Sequence, residues 1–170
     1  TVLDSSRLRF LIAQHRGVAA QSVHSYIVGE HGDSEIPLWS SASIGGVPLT
    51  SWTPLPGRPA MDAVARERIH HEVVHAAYTI IEGKGATNYA IGLASTRIVE
   101  AILNNEHRVL PVSTRANGIE GLDGVCLSLP TVVDRGGAQT RLDVPLSDSE
   151  RAGLLASAET LRGMQARFGF

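Results

Sequence analysis

The chain has 170 residues, 43% of them hydrophobic and 19% charged, which supplies enough apolar material to fill the core of one domain. Fifteen Lys and Arg stand against 17 Asp and Glu, a formal net charge of -2, so no broad basic field exists for nucleic acid or an anionic lipid surface. The single cysteine, Cys126, excludes an internal disulfide framework, and no apolar run approaches the roughly 20 residues that span a bilayer. The chain opens on Thr1, and Met61 and Met164 are its only methionines, so it is expected to be a piece of a longer polypeptide.

Asp4-Ser5-Ser6 opens a short helical pattern with Leu8, Leu11 and Ile12 on one side, closed near Gly17. Ser22 to Val28 reads as one strand that ends in the turn Gly29-Glu30-His31-Gly32-Asp33. Residues 37 to 60, richer in Gly, Pro and Ser, are expected to form short strands and loops. A long helix is predicted from Met61 to Glu82, with Val64, Ile69, Val73, Ala76, Ala77, Ile80 and Ile81 turned inward, and Gly83 and Gly85 stopping it. A second helix follows over Tyr89 to Asn105. Residues 108 to 144 supply two or three strands, with Arg135-Gly136-Gly137 as a hairpin turn. Ser147-Asp148-Ser149-Glu150 spells a capping box ahead of a last helix that buries Leu154, Leu155, Ala158, Leu161 and Met164. Strands and helices come in blocks rather than in strict alternation, which argues an α+β fold.

Two motifs compete for the chemistry. His71-Glu72-Val73-Val74-His75 spells H-E-x-x-H on a predicted helix, where residues i and i+4 share a face and can grip a zinc ion with Glu72 as general base, as in a metallopeptidase. An extended metzincin pattern needs Gly and His at positions that hold Tyr78 and Ile81, and Glu100 has no supporting context as a third ligand. The plainer reading makes Arg68, His71, His75 and Glu82 the solvated stripe of an amphipathic helix, with no metal.

The other motif is a constellation. Asp4 and Arg7 are three residues apart on a helix and face the same way, while His31 sits in a tight Gly-flanked turn after a strand. An imidazole beside a carboxylate can take and give a proton near neutral pH, and a guanidinium nearby can hold a substrate carboxylate by two parallel hydrogen bonds. Taken singly, Asp4 also reads as a helix cap, Arg7 as a surface charge and His31 as a turn residue.

Leu3-Asp4-Ser5-Ser6-Arg7-Leu8-Arg9, Gly29-Glu30-His31-Gly32-Asp33-Ser34-Glu35 and Lys84-Gly85-Ala86-Thr87-Asn88-Tyr89-Ala90-Ile91-Gly92 resemble, in order and spacing, substrate-domain motifs of the bacterial L-lactate dehydrogenases. The resemblance runs to the final helix and so covers essentially the whole chain. It implies a lactate/malate dehydrogenase C-terminal domain: an α+β substrate-binding and catalytic domain over residues 1 to 170, with mixed or antiparallel sheets packed against long helices. It also implies interconversion of pyruvate and L-lactate with NAD, as in pyruvate fermentation, in a cytoplasmic homotetramer. By the same resemblance His31 is the acid/base, Asp4 its partner, Arg7 the carboxylate anchor and Thr87 a pocket residue. Ala76, Ala77 and Ile91 fall near the substrate side chain or the nicotinamide. Malate dehydrogenase shares Asp4, Arg7 and His31, but Glu30 before His31 looks more lactate-like.

Dinucleotide binding needs a Gly-rich turn at a helix N-terminus, and Gly83-Lys84-Gly85 has only the first spacing of G-x-G-x-x-G. A separate N-terminal Rossmann domain is therefore expected to hold NAD, and this chain alone is expected to be inactive. Arg9 lies about 200° round the helix from Arg7 and so points elsewhere. With His24 it matches the positions where bacterial lactate dehydrogenases bind fructose 1,6-bisphosphate, which implies allosteric activation.

Overall fold

The computed structural model describes residues 1 to 169. Helix α1 (Val2–Arg16) buries Leu8, Ile12 and Ala13 along one side and stops at Gly17, whose φ of 72° lets its N–H turn back to the carbonyl of Ala13. The helix starts two residues earlier than predicted. Asp4 therefore sits in its first turn rather than at the cap, with its carboxylate near the positive end of the helix dipole. Thr1 occupies the cap position, but its Oγ1 donates instead to the carbonyls of Ile27 (2.8 Å) and Pro111 (3.2 Å). At the far end the buried Arg16 guanidinium donates to the carbonyls of Trp52 and Pro59, both at 2.9 Å, and lies over the Trp52 ring.

The strand predicted over Ser22 to Val28 is two short strands in separate sheets. β1 (Val23–His24) pairs with β4 (Ser43–Ile44), which pairs on with β5 (Val47–Pro48); β2 (Ile27–Val28) pairs with β3 (Ile36–Pro37). The chain changes partner at Ser25 and Tyr26, where Tyr26 accepts the N–H of Leu38 at 2.9 Å. Partner choice, not local pattern, makes that break.

The predicted long helix is also two, α2 (Ala63–Val74) and α3 (Ala76–Lys84), parted at His75. There the backbone stands at φ −89°, ψ 0°, and the imidazole Nδ1 lies 3.0 Å from the His71 carbonyl, competing for a helical acceptor. Asp62 caps α2 by accepting the N–H of Ala65 at 2.8 Å, and Ala65, Ile69 and Val73 are its buried row. Val64, five positions before Ile69 and so about 140° round the helix, is exposed rather than inward. Ile81 is also exposed, on a helix that buries no residue fully, and Gly85 alone terminates it.

Helix α4 (Tyr89–Leu103) buries only Ala101. The three-stranded antiparallel sheet β6 (Arg108–Arg115), β7 (Cys126–Asp134) and β8 (Gly137–Arg141) runs in register from Arg108 opposite Val133 to Arg115 opposite Cys126. Its second hairpin turns at Arg135 and Gly136, where Asp134 Oδ1 accepts the Gly136 N–H at 2.7 Å. Helix α5 (Asp148–Arg167) opens on a complete capping box between Ser147 and Glu150. Leu154 and Ala158 are buried and Leu155 and Leu161 half-buried, but Met164 is exposed because the last turns run past the core.

Three apolar cores result. One joins α1 to α2, β1 and β4; a second joins β2, β7 and α5; a third lies between α4 and the β6–β7 sheet. Each fully buried Leu, Ile or Val in them contributes on the order of 1.5–3 kcal/mol. No helix among the described residues is long and apolar enough to cross a membrane.

Glu150 carries more than the cap. Its carboxylate accepts the N–H of Ser147 at 2.8 Å and of Ser40 at 2.9 Å, and also the Ser40 hydroxyl. Burial raises its pKa, but those hydrogen bonds prevail and lower it overall. Glu150→Ala is expected to cost about 2 kcal/mol, against about 1 kcal/mol for Ser147→Ala, read as midpoints of urea unfolding.

Candidate active site

Three fastenings carry the site. The Ser5 hydroxyl, buried in the first turn of α1, accepts the N–H of Ile27 at 2.8 Å, which sets α1 against the strand that leads into the His31 turn. Gly29 then exchanges both backbone hydrogen bonds with Ser128 of β7, at 2.9 and 2.8 Å. From α5, the wholly buried Ser157 hydroxyl accepts the N–H of Glu30 at 2.8 Å and lies 3.2 Å from that of Ser34, which in turn donates to Glu30. Gly29 is required here. Its φ is +90°, and a Cβ at this position would stand 2.7 Å from Ser157 Oγ.

These contacts bring Asp4, Arg7 and His31 together. Asp4 is 3% exposed; its Oδ1 accepts from Arg7 Nη1 at 3.0 Å, and its Oδ2 lies 3.1 Å from His31 Nδ1. The second contact is at ion-pair distance without hydrogen-bond alignment, since Oδ2 has no hydrogen-bond partner among the described residues. Such a contact can tighten when a ligand closes the site. With Nδ1 turned to Asp4, Nε2 is the His31 atom left to face a ligand.

His31, Arg7, Ala77, Thr87 and Ile91 line one cavity of about 210 Å³, together with Leu3, Ile80 and Lys84. A second cavity of about 370 Å³ meets it at Leu3, His31 and Ile91 and adds Asp4, Ala94, Ser95 and Pro111. Ala76 is half-buried beside Ala77 but is not among the residues lining either cavity. A larger groove, about 810 Å³, lies elsewhere, between β8 and residues 117 to 120, and holds none of these residues.

Arg9 and His24 stand apart from this cluster. Arg9 Nη2 donates to Ser6 Oγ at 3.0 Å while Arg7 turns to Asp4, so the two guanidinium groups occupy different faces of α1. Burial lowers the Arg9 pKa; the Tyr26 phenol counters this and Arg97 adds to it. His24 is exposed on β1, opposite Ser43. On the H-E-x-x-H segment, His71 and His75 are exposed and stack with ring centroids 3.9 Å apart, and Glu72 pairs with Arg68. No third ligand-type side chain joins them among the described residues, and Glu100 faces Arg97 at 3.8 Å.

Two members of the site have no role in the sequence reading. Glu35, four residues after His31, is 4% exposed, with Oε2 4.0 Å from His31 Nδ1. Its spacing from His31 inside the turn motif is the signal that could have marked it. Ser157 is a lone hydroxyl among the apolar positions Leu154, Leu155, Ala158 and Leu161, and a polar residue on such a row asks for a buried partner.

The Glu35 carboxyl is pushed up to about 8, by burial first and by the charge of Asp4 second. It therefore keeps in the fold a proton that an unfolded chain has already released above about 4.5. Its stabilising contribution is complete below about 4.5 and is lost as pH rises to about 8. Glu35→Gln, which cannot ionise, is expected to flatten the fall in unfolding free energy across that window, measured by urea titrations at stepped pH. A variant that loses stability with pH as steeply as the wild type would contradict this.

The family model for the lactate/malate dehydrogenase alpha/beta C-terminal domain matches residues 1 to 166. Among similar proteins, an L-lactate dehydrogenase of Bifidobacterium animalis subsp. lactis is 58% identical over 170 residues, covering 100% of this chain and 53% of that protein. That of Thermus aquaticus is 48% identical over 170 residues, covering 100% of this chain and 54% of that protein. Two solved structures superpose closely. A lactate dehydrogenase from a Medee basin deep-sea metagenome library gives a TM-score of 0.91 at 38% identity, covering 100% of this chain and 54% of that one. The minor L-lactate dehydrogenase of Enterococcus mundtii gives 0.90 at 39% identity, covering 98% and 52%. The chain thus spans about half the length of these relatives. It belongs to the lactate/malate dehydrogenase family, of which it carries the alpha/beta C-terminal domain.

Proposed function

We propose that the chain is the substrate-binding and catalytic half of an NAD-dependent L-lactate dehydrogenase, interconverting pyruvate and L-lactate. The observation that carries this reading is the convergence of Asp4, Arg7 and His31, from positions up to 27 residues apart, with His31 shared by two adjoining cavities of which Arg7 lines one and Asp4 the other. The relatives named L-lactate dehydrogenase, and Glu30 before His31, favour lactate over malate.

Arg7 anchors the substrate carboxylate. Its Nη1 is committed to Asp4, which fixes the plane of the guanidinium while the remaining N–H groups serve the ligand. His31 faces the carbonyl oxygen through Nε2 and donates its proton there as the carbon becomes tetrahedral, so that the C=O bond becomes a hydroxyl. The carboxylate of Asp4 fixes the tautomer and steadies the imidazolium that precedes transfer. In the reverse direction neutral His31 takes the hydroxyl proton of lactate. Thr87 and Ala77 shape the wall around the substrate methyl group.

NADH, when bound, supplies the hydride that reduces the carbonyl carbon. The residues here fit its nicotinamide end. Ile91 is an exposed apolar side chain on both cavity walls beside His31, suited to a flat ring. No Gly-rich turn here suits the pyrophosphate, so we assign that part to a separate N-terminal Rossmann domain. The homotetramer and the cytoplasmic setting are part of the same proposal, and the exposed Tyr89, Leu93 and Leu103 of α4 agree with a subunit or domain contact. Activation by fructose 1,6-bisphosphate at Arg9 and His24 is supported by the separation of Arg9 from the Arg7 cluster and by the exposure of His24 on β1.

In the full-length enzyme, Arg7→Lys should lose the two-point grip and raise the Michaelis constant for pyruvate by about 100-fold or more, and an unchanged constant would refute the role. Arg9→Gln should lose activation by fructose 1,6-bisphosphate in pyruvate saturation curves while keeping its unactivated rate. A wild type indifferent to the effector, or an Arg9→Gln enzyme activated as strongly as the wild type, would remove that site.

A further inference from the structure

The side chain of Glu35 is 3% exposed, yet it makes no hydrogen bond that the fold needs. Its backbone N–H closes the turn onto the Gly32 carbonyl at 3.2 Å, and its own carbonyl lies 3.1 Å from Nε2 of His70 on α2. The carboxyl has no such partner among the described residues. Oε1 is buried without one among the described residues, and Oε2 stands 4.0 Å from His31 Nδ1, too far for a hydrogen bond and close enough for charge to act. Buried polar groups are normally paired, so an unpaired one behind a reacting imidazole calls for an account.

We infer that Glu35 is a second carboxyl partner of His31, a positioning residue that sets the pH range over which the imidazole exchanges its proton with substrate. This rests on the proposed role of His31 as acid/base. Asp4 and Arg7 face Glu35 from α1, Glu30 and His31 from its own turn, and His70 from α2. Burial, Asp4 and Glu30 hold the proton on Glu35, while Arg7 opposes them. The carboxyl therefore stays neutral at physiological pH and becomes a carboxylate as pH passes about 8. The new negative charge lies on the Nδ1 side of His31, where Asp4 already stands. It strengthens the hold on the imidazolium as hydroxide rises. His31 then gives up its proton over a wider and more alkaline range than it would beside Asp4 alone.

The test compares full-length wild-type and Glu35→Gln enzymes by kcat/KM against pH in both directions. Pyruvate reduction needs His31 protonated and lactate oxidation needs it neutral, so both profiles report one proton on one imidazole. The Gln variant should keep the acid side of both profiles and lose their alkaline tail, each profile steepening to a one-proton curve. A side chain serving only to fill space would lower stability and leave the alkaline side of both profiles in place. Superimposable profiles, or a shift to higher pH, would overturn the inference. Should Glu35→Gln fold poorly, the wild type alone suffices. The rate at which diethyl pyrocarbonate modifies His31, followed by mass spectrometry, tracks the neutral imidazole; a curve broader than one proton is expected, and a simple one-proton curve would count against Glu35. His31→Asn separates this from the parent reading. If that variant keeps wild-type turnover, the acid/base role itself fails. If it is inactive while the Glu35→Gln profiles match the wild type, only the role of Glu35 falls.

Discussion

The contact on which this site turns is the hydrogen bond from the Ile27 N–H to the buried Ser5 hydroxyl. It is a neutral bond worth only about 1 kcal/mol net, but it fixes which strand lies against the first turn of α1. From it follow the depth at which Asp4 is buried and the point where the chain leaves β2 to build the His31 turn. The Thr1 hydroxyl reinforces it by reaching both the Ile27 and Pro111 carbonyls. A carboxylate and an imidazole 27 residues apart in sequence are held at 3.1 Å by small uncharged groups.

Burial divides the labour among the acidic groups. Asp4 has the Arg7 guanidinium hydrogen-bonded to one oxygen and the His31 imidazole beside the other. Among the described residues Glu35 has no cation within hydrogen-bond reach, and it retains its proton instead. The proton that Glu35 keeps is an outcome of its surroundings and not of its residue type. Glu150, equally buried, is resolved in a third way, by hydrogen bonds from Ser40 and Ser147.

Local signals were legible wherever the physics was local. The capping box at Ser147, the αL stop at Gly17 and the hairpin at Arg135-Gly136 depend on a few neighbouring residues, and each forms as its spelling predicts. The helix break at His75 was hidden because apolar spacing continues across it and no Gly or Pro marks it. The partner change at Ser25 and Tyr26 was hidden because two different strands, β4 and β3, decide it from elsewhere in the chain. At the site, Asp4, Arg7 and His31 could be picked out by residue type and spacing. The burial of Glu35 and the reach of Ser157 to Glu30 are tertiary facts with only faint local traces.

That last contact has a bearing on how the molecule is made. Glu30 and Ser157 lie 127 residues apart, so the turn that holds His31 cannot be fastened on a ribosome until almost all of this chain has been synthesised. At about 5–20 residues per second, the early segment waits several seconds or more for its clasp. During that wait α1 and β2 can already meet through Ser5 and Ile27, whose separation is only 22 residues. Assembly is therefore ordered in time: the carboxylate arrives first and the imidazole is locked last. Loops closed over such long separations form slowly, so a nascent or refolding chain passes through an interval in which it is largely folded but not yet chemically competent.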